Sequence, residues 1–223
     1  MDKTLNLKKN VETIVENIEL AKQKAGRQDV VRVMAVTKTV NPERIRDVVG
    51  CGVDLLGENR VQEFLEKRAD YPESAEVHFI GSLQTNKVRH IIDKVKMIQS
   101  VDSVKLANEI DRLAKFNNLE MNVLIQVNIG GELTKGGVAP DELDGFLSEI
   151  ASLGNVKLRG LMTIPPVENV EKYFEKMQRL FEDLKLKHEN IDTLSMGMSG
   201  DYEKAVMYGS TIVRVGSLLF GSR

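Results

Sequence analysis

The chain has no tryptophan and one cysteine, Cys51, in 223 residues. A lone cysteine cannot close an internal disulfide, so a disulfide-stapled secreted scaffold is excluded and a reducing, cytoplasmic setting is expected. Cys51 lies between Gly50 and Gly52, ahead of an apolar run, and reads as structural. Strong charge of either sign is also missing: the formal net charge is -2. Nothing global therefore points to nucleic acid or to an acidic membrane surface. No apolar run approaches membrane-spanning length, and the polar N-terminus lacks the apolar core of a signal peptide. There is no linker rich in proline, glycine or serine and no low-complexity segment. No G-x-G-x-x-G opens a helix, and no Walker A sequence occurs. No Cys/His cluster has metal-ligand spacing, so no metal site is expected.

What is present is a rhythm of strand and helix. Apolar Leu7, Val11, Ile14, Val15, Ile18 and Ala21 predict a helix over 5–25, with Gly26 as its stop. Strands are predicted at 31–37, 55–57, 77–80, 97–99, 123–128, 157–161, 193–196 and 211–215. Helices are predicted between them at 42–49, 61–69, 87–94, 104–116, 141–151, 167–187 and 202–207. Asn41 should cap the first of these, with Pro42 at its first position. Eight strands, each but the last followed by a helix, predict an α/β fold: a single (β/α)8 TIM barrel with an extra N-terminal helix, one domain spanning residues 1–223.

In such a barrel the site lies at the C-terminal ends of the strands. Lys38 follows the first predicted strand. A lysine delivered there by rigid backbone, against apolar walls, loses solvation; its amine becomes nucleophilic and able to form a Schiff base, most commonly with pyridoxal 5′-phosphate. After the later strands come Gly57-Glu58-Asn59-Arg60, Gly81-Ser82-Leu83-Gln84, Asn128-Ile129-Gly130-Gly131 with Thr134-Lys135, Met162-Thr163, Gly197-Met198-Ser199-Gly200-Asp201 and Gly216-Ser217. Ordinary turn chemistry uses the same residue types. Their joint polarity at one end favours a ligand site. Two of them, around Ser199 and at Gly216-Ser217, suit a phosphate. Asp201 is expected to turn away from it and to cap the short helix that follows. Arg214, in an apolar strand, needs a partner: a neighbouring carboxylate, solvent, or the ring nitrogen of a cofactor. A permanent cation at that nitrogen would weaken pyridoxal phosphate as an electron sink. His78 reads as a packed or surface histidine.

Taken together, Met34-Ala35-Val36-Thr37-Lys38, Gly57-Glu58-Asn59-Arg60-Val61-Gln62-Glu63, His78-Phe79-Ile80-Gly81-Ser82-Leu83-Gln84-Thr85-Asn86-Lys87, Arg159-Gly160-Leu161-Met162, Ser195-Met196-Gly197-Met198-Ser199-Gly200-Asp201 and Val213-Arg214-Val215-Gly216-Ser217 resemble the pyridoxal phosphate homeostasis protein family over nearly the whole chain. Thr37 and Ser82 are mild variants of its pattern. The resemblance implies a barrel like the N-terminal domain of bacterial alanine racemase, with pyridoxal phosphate on Lys38. It implies that Ser199, Gly216 and Ser217 take the phosphate, Arg214 faces the ring nitrogen and Asn59 meets the ring hydroxyl. Met162 would join the pocket, and Lys135 would handle the cofactor on its way in or out. It implies a cytoplasmic protein, expected as a monomer, that supplies the cofactor to apo-enzymes. No catalytic residue is expected. Racemisation needs a second base, and none of Tyr71, Tyr173, Tyr202 and Tyr208 follows a strand; the chain runs to Arg223 directly after the last strand. A slow pyridoxal phosphate enzyme, such as a racemase, is the alternative reading, and a barrel for another phosphorylated ligand the third.

Overall fold

The computed structural model describes residues 3–132 and 134–221. The eight strands are β1 (Arg32–Val36), β2 (Leu55–Glu58), β3 (Glu76–Phe79), β4 (Met97–Val101), β5 (Met121–Gln126), β6 (Val156–Met162), β7 (Thr193–Met198) and β8 (Ile212–Val215). They hydrogen-bond in chain order, and β8 returns to β1, so the sheet is a closed parallel barrel. The helices are α1 (Lys3–Lys24), α2 (Pro42–Gly50), α3 (Val61–Lys67), α4 (Val104–Phe116), α5 (Leu143–Ile150), α6 (Val170–Lys187), α7 (Tyr202–Met207) and α8 (Ser217–Phe220). Among the described residues no helix is long and apolar enough to cross a membrane.

Local chemistry sets the boundaries. In α1, Leu7, Val11, Ile14, Ile18 and Ala21 are buried at helical spacing, whereas Val15 falls off the stripe and is exposed. Gly26, at φ +65°, stops the helix in the left-handed conformation that glycine takes without penalty. The Asn41 side chain accepts from the Glu43 N–H at 2.9 Å and Pro42 opens α2. Ser103 caps α4 in the same way. The last long helix begins at Val170 rather than at residue 167, because Asn169 is left-handed at φ +53°. The predicted helix over 87–94 is instead a 3-10 segment, Thr85–His90, followed by turns. Its bonds run from Lys87 N–H to Gln84 and from Ile91 N–H to Val88. This tighter winding buries Val88, Ile91 and Ile92 together. A short helix, α8, follows the last strand; Arg223 lies outside the described residues.

By contacts the chain divides into two compact units, residues 1–77 with 195–223, and residues 78–194. In the first, Met34 of β1 lies opposite Leu55 of β2 and Arg214 of β8, and Ser195 of β7 opposite Ile212. In the second, His78 of β3 lies opposite Met97, and β4, β5 and β6 pair in turn. Met97, Leu124 and Met162 form a buried cluster in that unit. His78 is buried there beside Gln99, with Nδ1 2.9 Å from the amide nitrogen, so it is a packed histidine.

Candidate functional site

Lys38 sits two residues past the end of β1, in a turn, and not on the strand itself. The ladder carries as far as Thr37, whose N–H donates to the Gly57 carbonyl at 3.1 Å. Val40 N–H then returns to the Thr37 carbonyl at 3.0 Å. Between them Thr39 has φ +60°, an unfavourable conformation for a β-branched residue. Side chains impose it. The Lys67 ammonium donates to the Thr37 carbonyl at 2.8 Å and to Glu63 Oε1 at 2.8 Å, and lies 3.3 Å from Glu58 Oε1. Glu63 Oε1 also accepts the Thr39 N–H. Glu58 Oε1 accepts the Thr37 hydroxyl at 2.5 Å and the Tyr71 hydroxyl. Lys38 is thus gripped through both of its chain neighbours.

The electrostatics follow from this packing. Burial alone would raise the Glu63 carboxyl, but Lys67 and the Thr39 amide hold it below the ordinary carboxylate range. Burial, and then the Glu58 carboxylate beside it, push the Tyr71 phenol well up. Glu58 is fully buried, and its other oxygen, Oε2, has no hydrogen-bond partner.

The Lys38 turn, the β7–α7 loop and the start of α8 wall a cavity of about 690 Å³. Val36, Lys38, Arg44, Ser199, Arg214 and Ser217 line it, with Met198, Gly200, Gly216 and Phe220. Among the described residues the lining holds three cations and no carboxylate. Gly197 makes the loop possible: at φ +89°, a Cβ there would lie 2.5 Å from the Ala205 Cβ and 3.1 Å from the Tyr202 Cα. Ser199 Oγ receives the Gly216 N–H at 3.3 Å and the Leu218 N–H at 3.4 Å, so two amides and a hydroxyl converge on one point. Asp201 takes the N-cap position of α7 without a side-chain capping bond; its carboxylate accepts the Met198 N–H at 2.6 Å instead. Arg214 is buried and donates to the Ser195 hydroxyl on the adjacent strand at 2.8 Å. Burial pushes its guanidinium down to about 10, with Asp201 pulling the other way.

Five of the residues singled out in the sequence therefore meet in one cavity: Lys38, Ser199, Arg214, Gly216 and Ser217. Asn59 follows β2 and is not in the lining; its amide oxygen is buried with no hydrogen-bond partner. Met162 and Lys135 belong to the second unit. Met162 packs in its core, and the Lys135 ammonium pairs with Glu132 at 2.5 Å and reaches the Ile164 carbonyl at 3.4 Å. Sequence reasoning missed the Lys67–Glu58–Tyr71 network and Arg44. The one signal was the i,i+4 spacing of Glu63 and Lys67, which reads equally well as a solvated helix pair.

Residues 10–223 match the model of the alanine racemase N-terminal domain. The pyridoxal phosphate homeostasis protein of Aquifex aeolicus is 45% identical over 98% of this chain and 99% of its own. The chain belongs to that family. Among solved structures, a protein described as unknown from Bifidobacterium adolescentis superposes with a TM-score of 0.92 at 32% identity, over 99% of this chain and 97% of the other. PipY of Synechococcus elongatus, solved with pyridoxal phosphate bound, gives a TM-score of 0.79 at 33% identity, over 92% of this chain and 100% of its own. In the family's terms, the cavity lies where the β1, β7 and β8 strands of the barrel end.

Proposed function

We propose that this protein binds pyridoxal 5′-phosphate on Lys38 and serves in the homeostasis and supply of that cofactor, as a cytoplasmic monomer with residues 1–223 acting as one domain. The single observation that carries the reading is the cavity itself, which joins a primary amine to two further cations, no carboxylate among the described residues, and two amides converging on a serine hydroxyl. The residues fit the group. A phosphate dianion would suit Ser199, Gly216 and Ser217; an aldehyde would suit the Lys38 amine, which would hold it as a Schiff base with loss of water. Arg214, permanently charged, would face the ring nitrogen and keep it unprotonated. Asn59, outside the lining but with a buried amide oxygen that has no hydrogen-bond partner, remains the family's candidate for the ring hydroxyl. When bound, the cofactor supplies a reactive aldehyde and an electron-withdrawing ring; the protein's part is to hold and shield them. Met162 and Lys135 remain the family's candidates for, respectively, a pocket wall and an entry or exit group.

A role without catalysis is supported by the relatives' naming as homeostasis proteins. It is supported also by the tyrosines, none of which lines the cavity. Tyr71 is committed to Glu58, and Tyr202 contacts Asn17. Apo-forms of pyridoxal phosphate enzymes are the recipients we propose.

The test is an absorbance spectrum with added cofactor, before and after borohydride, for the wild type and Lys38→Ala. A yellow band trapped on the Lys38 peptide, and missing from the variant, supports the reading. An identical band in both proteins would remove it and leave a barrel for some other phosphorylated ligand. Incubation with D- and L-amino acids separates carrier from enzyme: turnover above that of free cofactor would overturn the non-catalytic role.

A further inference from the structure

Arg44 lies on α2, in the first unit with Lys38, and its side chain lines the same cavity. Its Nη1 donates to the Phe220 carbonyl at 2.8 Å, and the guanidinium carbon stands 5.4 Å from the centre of the Phe220 ring. Among the described residues it has no carboxylate partner within salt-bridge distance. Phe220 ends α8, the segment whose first residue is Ser217 and whose Leu218 N–H points at Ser199. The planar fork is thus held by one donor and one face, on a residue that lines the cavity. A cation held rigidly, half-buried and with its charge unbalanced, is stabilised by an anion entering the cavity.

We propose that Arg44 is a specificity residue, which makes this pocket select the phosphorylated form of its ligand by charge. Lys38 and Arg214 cannot supply this discrimination. Their assigned partners are the aldehyde and the ring nitrogen, which phosphorylated and unphosphorylated ligands share. Ser199 and the amides of Gly216 and Leu218 bind phosphate by hydrogen bonds but carry no net charge. Among the described residues Arg44 is the cavity's remaining cation. The inference rests on the pyridoxal phosphate reading for the identity of the ligand, and on the cavity alone for its preference for a phosphoryl anion.

The alternative is that Arg44 only ties down the end of α8. Arg44→Gln and Arg44→Lys separate the two together, because both lose the two-pronged fork that reaches the Phe220 carbonyl while only the lysine keeps the charge. Equilibrium binding of pyridoxal 5′-phosphate and of pyridoxal is measured for wild type, Arg44→Gln and Arg44→Lys, at low and at moderate salt. Thermal stabilisation by inorganic phosphate is followed in parallel. The expected result is that Arg44→Gln weakens the phosphorylated ligand about tenfold, the scale of one charge-assisted hydrogen bond. Binding of pyridoxal should change less than about twofold, and the stabilisation by inorganic phosphate should disappear. Arg44→Lys should recover most of both phosphate effects and retain the wild-type salt dependence. Equal weakening of both ligands, or no change in either, would overturn the proposal. If the wild type captures no pyridoxal phosphate, the ligand assignment fails. The inorganic phosphate arm then decides Arg44 by itself: stabilisation of wild type that is lost in Arg44→Gln supports it, and its persistence in Arg44→Gln or absence from wild type rejects it.

Discussion

The ammonium of Lys67 lies 2.8 Å from the carbonyl of Thr37, the residue immediately before Lys38. The same ammonium lies 2.8 Å from Glu63, which accepts the amide of Thr39, the residue immediately after. One buried lysine on α3 therefore holds the backbone on both sides of the lysine that lines the cavity. A cation behind Lys38 thus holds the backbone that carries its amine.

Removing Lys67 should be costly. Its side chain is 11% exposed and that of Glu58 is wholly buried, so the pair is shielded from solvent. Lys67→Met would leave the Glu58 carboxylate with only hydroxyl donors and the Thr37 carbonyl without its side-chain donor. A buried pair broken on one side loses ~3–5 kcal/mol. We expect a fall of about 3 kcal/mol in urea unfolding, at an unchanged slope, and partial recovery in Lys67→Met/Glu58→Gln. A loss below ~1 kcal/mol would place this contact among surface pairs and remove the clamp from the argument.

The Glu63 arm of the clamp should respond to acid. Its carboxyl is held below the ordinary value of 4.5 in the folded protein. A depressed folded pKa stabilises the native state above the unfolded pKa, and that contribution is lost as pH falls through the folded value. Protonation there would release the Thr39 amide and weaken the hold on Lys67. The stability difference between wild type and Glu63→Gln should therefore be constant from neutral pH down to about 6 and shrink below 4.5. Urea titrations over this range read it directly, and parallel curves for the two proteins would show that Glu63 carries no pH-linked stabilisation.

The barrel was legible in the sequence because most strands are short apolar runs closed by Gly, Ser or Asn, and parallel strands covered by helices need little else. The runs at 31–37 and 211–215 marked β1 and β8 to within a residue or so at each end. Segment 87–94 was not legible, because Val88, Ile91 and Ile92 satisfy helical spacing while packing selects a 3-10 winding. Lys38, Ser199 and Arg214 could be paired from strand order alone, since barrel topology brings β1, β7 and β8 together. The clamp could not. Glu58 meets Tyr71 across thirteen residues of helix and turn, and nothing local distinguishes that tyrosine from a surface one. Arg44 was hidden for a similar reason: three residues into a helix it reads as a solvated side chain, until α8 arrives to hold it. Position along the barrel was readable from periodicity, whereas partnership between elements depends on side-chain reach that periodicity does not encode.

The end of β7 and the loop after it offer a comparison between two glycines three residues apart. At Gly197 the backbone is left-handed, at φ +89°, and an added Cβ would stand 2.5 Å from the Ala205 Cβ and 3.1 Å from the Tyr202 Cα. Neither contact can be relieved by rotating a flexible side chain, so α7 must shift or the loop must change conformation. Strained φ and overpacking each cost ~1–3 kcal/mol, so Gly197→Ala should lose about 2–4 kcal/mol. At Gly200 an added Cβ meets nothing within 4 Å and φ lies outside the left-handed range, so Gly200→Ala should stay within ~0.5 kcal/mol of wild type. The functional consequence should divide the same way. Ser199 lies between the two glycines, and its hydroxyl is the point on which the Gly216 and Leu218 amides converge. Displacing the loop at Gly197 moves that hydroxyl; a methyl group at Gly200 leaves it. Cofactor titration of the folded fraction should therefore show weaker binding for Gly197→Ala and near wild-type binding for Gly200→Ala. If the two variants proved equally stable and bound equally well, the tight passage under α7 would not be what places Ser199.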